Sequence, residues 1–210
     1  MKIPLIPNSV KTFINLWPAL SLIFEALEHG TQKAVEYFET EGADFPDPFL
    51  APDVVRYHAK RLITSRANQI EIDVKNVANI GLRIVYNHQT VWIIKTPDGE
   101  LPPPRSTERE EYYSQVFPLL VDPDTGASLL KPNMVVLWTA ARSFKEISLK
   151  LVLPKEGDVG TATSDFYWEQ RIPHPAELLS FAMPSDADAA TPDELSAIEH
   201  ILFKKVQGEE

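Results

Sequence analysis

The chain contains no cysteine. That absence excludes disulfide scaffolds, thiolate metal sites, cysteine nucleophiles and redox pairs together. Glycine is also scarce, with 8 residues against 18 prolines in 210. There is no Gly-x-Ser-x-Gly elbow, no phosphate-binding loop and no Gly-x-Gly-x-x-Gly string, so acyl-hydrolase, nucleotide-phosphatase and Rossmann readings lose their usual support. A basic excess is lacking too. Twenty Lys and Arg stand against 30 Asp and Glu, for a formal charge of -10, and no global attraction to nucleic acid or anionic membrane is expected.

Long apolar runs are missing as well. The most apolar stretch, 13–27, is 15 residues long and interrupted by Asn15, Pro18 and Glu25, whereas a membrane span needs ~20 nearly uninterrupted apolar residues. Only Lys2 and Lys11 precede it, and Glu28-His29-Gly30 stands where a leader would carry small residues. Leu20, Ile23, Phe24 and Leu27 recur at helical spacing, so a buried amphipathic helix is expected. With no export signal and no cysteine, the expected location is cytoplasmic, without membrane.

What is present is an ordinary globular composition, 44% hydrophobic and 24% charged, which rules out wholesale disorder. Residues 1–66 read as a helical section. Ser9 would cap a helix ending near Trp17-Pro18, a second would run from about Ala19 to Glu28 with Gly30 as its stop, and Thr31 would cap a third. After the proline-punctuated connector 45–52, Val54, Val55, His58, Ala59, Leu62 and Ile63 form a 3.6-residue stripe.

From residue 70 the period becomes two. Ile70–Val74 alternates, and Leu82–Tyr86 and Thr90–Ile94 flank Asn87-His88-Gln89 as a hairpin. Thr96–Gly99 is a turn and 101–105 a polyproline-like loop. Thr107 with Glu110 forms a capping box for a helix stopping before Pro118. Met134–Trp138 is apolar enough for a central strand buried on both faces. Ile147–Leu153 alternates as a half-buried strand, and Phe166–Trp168 is the last strand, before a short helix over 176–181. Residues 185–190 read as an acidic linker to a final helix capped by Thr191-Pro192. The expected fold is α+β, N-terminal helices followed by a mainly antiparallel five- or six-stranded sheet with packed helices. Its parts are a helical section 1–66, a β-rich core 67–184 and a linker with terminal helix 185–210, together forming one compact unit.

Three constellations carry chemistry. Glu71, Asp73 and Lys75 would share one face of a strand, and two carboxylates with a lysine suit a divalent metal and attack on phosphate. With Asp53 after Pro52, the text resembles the PD-(D/E)xK nuclease pattern, which implies Mg²⁺ or Mn²⁺ as cofactor; that family's first Asp sits at a strand start, whereas Asp53 opens a helix. A helix cap and a solvated strand face account for the same residues. Secondly, 51–95 carries seven cations against three acids. Arg56, Lys60 and Arg61 lie on the helix over 53–66, where they would meet phosphates or form a solvated face. Thirdly, the loop 97–105 and the helix 108–117, with Tyr112, Tyr113, Val116 and Phe117, would form a protein-binding surface. Histidines 29, 58, 88, 174 and 200 show no ligand spacing, and no metal or other cofactor is expected. Trp92, Trp138 and Trp168 sit on separate strands, where packing explains them better than base stacking.

Read in order, Gly81–Arg83, Val91–Lys95, Leu101–Pro104, Tyr112–Gln115, Val136–Trp138, Leu149–Lys155 and Trp168–Pro175 resemble a group of uncharacterised actinobacterial proteins, some from mobile elements, over roughly residues 50 to 180. The resemblance implies an intracellular bacterial or phage-related origin and brings no activity with it. The leading expectation is a non-enzymatic protein-interaction or regulatory factor of a bacterial or phage system, with another protein as partner. A metal-dependent nuclease and a nucleic-acid-binding module are the alternatives.

Overall fold

The structure, a computed structural model, describes residues 7–77, 81–115, 132–155 and 165–177. The first element, α1 (Ser9–Thr40), is one unbroken helix where three shorter ones were expected. Asn8, not Ser9, caps it, its Oδ1 accepting the amide of Lys11 at 2.9 Å. Pro18 lies inside the helix on an exposed position. It removes the bond to the Ile14 carbonyl, which water on that side can replace.

Gly30 is likewise no stop. A Cβ there would stand 2.5 Å from the carbonyl oxygen of Val55, so the missing side chain is what lets α2 (Ala51–Arg66) lie close against α1. The buried face of α2 is Ala51, Val55, Ala59 and Ile63, small and branched residues at helical spacing. Val54, His58 and Leu62, expected on that stripe, sit at its margins.

A turn of 3-10 helix, Ala67–Gln69, leads to the sheet. Its strands are β1 (Asp73–Val77), β2 (Gly81–Tyr86), β3 (Gln89–Lys95), β4 (Met134–Ala140), β5 (Ile147–Pro154) and β6 (Phe166–Ile172), in spatial order β1-β2-β3-β4-β5-β6. The fold is α+β. All neighbours pair antiparallel except β3 and β4, which run parallel. A parallel pair needs a crossover, and here it includes α3 (Thr107–Tyr113). The β2–β3 hairpin turns on Asn87 and His88, both at positive φ (47° and 61°), as a tight two-residue hairpin requires.

The first strand starts three residues later than its alternation implied. Ile72 turns into the core and Glu71 adopts φ 56°, so Glu71 sits in the turn and only Asp73 and Lys75 share a face of β1. The cap of α3 is Ser106, whose Oγ accepts the Arg109 amide at 3.3 Å, rather than Thr107. The helix ends at Tyr113, and Gln115 takes φ 56°. The expected segments 116–118, 178–181 and 185–210 lie outside the described residues.

Two cores result. Against one sheet face, α1 and α2 bury Leu16, Leu20, Ile23, Leu27, Val55 and Ile63 on Leu82, Ile84, Ile93, Val136, Trp138 and Leu151. The helical section and the sheet therefore share a single core. Against the other face, α3 and Leu101 cover Trp92, Ile94, Val135, Leu137 and Val152. Strand β4 is buried on both faces because it lies beneath both layers, with Met134, Val136 and Trp138 in one core and Val135 and Leu137 in the other. The indole of Trp168 caps the far edge, donating from Nε1 to the Pro7 carbonyl at 3.1 Å. Helix α1 is long and apolar enough to cross a membrane, but its apolar residues are the core just described.

Candidate functional site

At one end of the sheet β2 begins at Gly81 while β3 runs on to Lys95, since Leu82 pairs with Ile93. A cleft of about 470 Å³ opens there, its lining drawn from three directions. Helix α2 supplies Arg56, β3 supplies Trp92, Ile94 and Lys95, and the crossover supplies Pro97, Pro102, Arg105, Glu108 and Arg109. Four cations thus face one carboxylate in a chain of charge -10.

Each cation arrives there for a local reason. Side chains alternate along β3, so Val91, Ile93 and Lys95 point to the α2 side while Trp92 and Ile94 point to the α3 side. The Lys95 ammonium lies 5.9 Å from the Phe144 ring centroid. Burial, and secondarily the neighbouring Arg56, hold its pKa below the ordinary lysine value. Arg56 pairs with Asp53 one turn back on α2, yet its Nε is buried with no acceptor. Arg83, opposite Trp92 in the register, places its guanidinium 4.3 Å from the indole centroid and bonds Glu108 at 2.7 Å. Arg109 covers the same indole at 5.5 Å. The Nε atoms of Arg83 and Arg109 are also buried without an acceptor. Among the described residues, Lys95, Arg105 and Arg109 form no ion pair.

Beneath this layer α3 anchors the floor. Tyr112 is buried and its hydroxyl donates to the carbonyls of Met134 (2.7 Å) and Thr90 (3.1 Å). Tyr113 is 1% exposed. Burial raises the pKa of both phenols, with Arg83 and Arg109 respectively opposing it. Both rings are therefore core, and the protein-contact surface expected from Tyr112 and Tyr113 is not presented by them; Phe117 lies outside the described residues.

Across Val77 the cleft adjoins a wider, more open concavity on the outer face of α2, about 720 Å³, lined by Tyr57, Lys60, Arg61, Thr64 and Ser65. The Arg61 guanidinium sits 5.8 Å from the Tyr57 ring centroid. Arg56, Lys60 and Arg61 are thus joined to Lys95, Arg105 and Arg109 in one surface. The first three were legible as a basic helix face. The other three are separated from it by 30 residues or more of chain, and only the pairing of β2 with β3 and the return of the crossover bring them back.

The carboxylate set behaves differently. Asp53 is paired with Arg56, Asp73 with Lys75, and Glu71 stands in the turn before β1. Among the described residues no group of three or more His, Asp or Glu side chains could hold a metal. Glu25 bonds Arg66 at 2.7 Å rather than acting with His29. His174 opens a turn by accepting the Ala176 amide at Nδ1, with its Nε2 3.3 Å from Glu28. No protein-family model, curated protein or solved structure matches the chain.

Proposed function

We propose that this chain is an intracellular nucleic-acid-binding module of bacterial or phage-related origin, gripping a phosphate backbone with α2 and the cleft at the end of β3. The observation that carries the reading is the convergence of Arg56, Lys95, Arg105 and Arg109 on one concavity, where the charges of Lys95, Arg105 and Arg109 have no ion-pair partner among the described residues. A planar guanidinium matches phosphate oxygens. The cleft volume falls in the range of ligand sites. Its continuation over α2 favours an extended anion over a small one.

A second reading, as an interaction or regulatory factor, has its own support. In the connector before α2, Phe45, Phe49 and Leu50 are exposed, Phe49 to 88%, more apolar surface than one short loop ordinarily shows. The nuclease reading has less. Divalent cations want several oxygen ligands, and the cleft offers the single carboxylate of Glu108.

Thermal unfolding with and without a short oligonucleotide tests the proposal. A ligand at ~100 times its dissociation constant adds about 2.7 kcal/mol to stability. The melting temperature should rise with nucleic acid, and replacing Arg105 and Arg109 by alanine should remove most of that rise. No rise, or an unchanged rise in the double variant, would refute it. A rise with Mn²⁺ alone would return attention to Asp53, Glu71, Asp73 and Lys75.

A further inference from the structure

Building on the reading above, we infer that the nucleic acid is held as a single strand, running from the cleft over the outer face of α2, with a base stacked on Tyr57. The two concavities meet at Val77, so one chain of phosphates could follow Arg105, Lys95 and Arg56 and continue to Lys60 and Arg61. Tyr57 is 51% exposed on that course. Arg61 lies over one face of its ring, 5.8 Å from the centroid, and the His58 ring stands nearly perpendicular to it at 5.2 Å, which leaves the other face for a base. Trp92 cannot do the stacking: it is 6% exposed beneath Arg83 and Arg109.

Cationic grooves interleaved with exposed aromatic rings suit unpaired bases, because every base has a free π-face only when unstacked. A duplex keeps those faces shut and is read by elements that project into a groove. Here Arg56, Lys95, Pro97 and Pro102 line one recess. A strand can enter such a notch more readily than a double helix can.

Fluorescence anisotropy on the full chain separates the cases, using a labelled oligodeoxythymidylate, alone and annealed to oligodeoxyadenylate. The single strand should bind at least about tenfold tighter than the duplex. Tyr57→Ala should weaken it about tenfold without changing the salt dependence, because stacking releases no counterions, and Tyr57→Phe should retain the affinity. Tyr57 is exposed, so these variants are expected to melt like the parent. Equal or tighter duplex binding, or an unaffected Tyr57→Ala variant, would overturn the inference while salt-dependent binding left the proposed function standing. Displacement of the strand by polyglutamate at equal charge concentration would also overturn it, in favour of an acidic protein. Binding of neither nucleic acid would remove both.

Discussion

Lys95 illustrates a residue placed against its own preference. Burial and the nearby Arg56 disfavour its charged form, so the folded state binds its proton less firmly than the unfolded chain does. Between the lowered value and the ordinary lysine pKa the unfolded chain carries more protons, and stability therefore rises with pH in that window. Lys95→Met should leave the melting temperature unchanged or raised while weakening nucleic-acid binding. A variant that melts lower and binds as well as the parent would contradict this account of Lys95. His58 carries a second pH dependence. Burial first, then the proximity of His29, Arg61 and Lys33, holds its imidazole below the usual value, with Glu36 opposing; the two imidazole centroids are 6.2 Å apart. The unfolded histidine takes up protons at higher pH than the folded one. Its contribution is thus fully present above pH ~6.5 and is lost as pH falls through the lowered value. Melting curves between pH 7.5 and 5 (on the order of one full titration of the unfolded side chain) should show a decline that His58→Gln flattens.

At the scale of elements, α1 carries the two most informative departures from sequence logic. Pro18 and Gly30 are strong punctuation marks, and both are overridden because the stripe from Phe13 to Phe38 buries enough apolar surface to hold the helix together. The proline still has a cost. Pro18→Ala should stabilise the protein by about 2 kcal/mol, the interior-proline penalty of about 3 less the greater freedom of the unfolded chain. Gly30→Ala should do the opposite, despite alanine's better helix propensity. The added carbon meets the backbone of Val55, which has no rotamer to yield, and overpacking of this kind costs roughly 1–3 kcal/mol. Denaturant midpoints of the two variants should move in opposite directions. A shift of both the same way would mean that α1 and α2 do not approach as described. The strands were more legible than the helices. The segments expected as strands at 82–86, 90–94, 134–138 and 147–153 all fall inside observed strands, because sheet burial leaves its mark in sequence, as alternation along a half-buried strand and as the continuous apolar run of 134–138 in one buried on both faces. β1 was displaced because Ile70 and Ile72 both looked like strand residues, and the turn at Glu71 leaves no signal in residue type. The parallel pairing of β3 with β4 was not legible, because it depends on a crossover rather than on either strand.

For the whole molecule, the contrast is between a chain of -10 and a cleft with a local positive excess. Composition argued against nucleic acid, but a net charge describes only the surface on average. A binding site, however, is set by the local field, which low-dielectric walls focus. Half of the candidate surface, Arg56, Lys60 and Arg61, could be read from helical spacing alone. Lys95, Arg105 and Arg109 could not, because nothing in their neighbouring residues marks them as converging on α2. The aromatic pair Tyr112 and Tyr113 misled for a related reason: on a seven-residue helix, sequence spacing does not tell which face is covered, and α3 turns both inward.

The most direct measurement is the affinity for a short oligonucleotide across a series of salt concentrations, for the parent chain and for variants lacking Arg105, Arg109 or both. If these cations contact phosphates, log affinity falls linearly with log salt, and each removed contact makes the slope shallower by about one. Binding that does not respond to salt, or a slope unmoved by removal of both arginines, would contradict the assignment of the cleft.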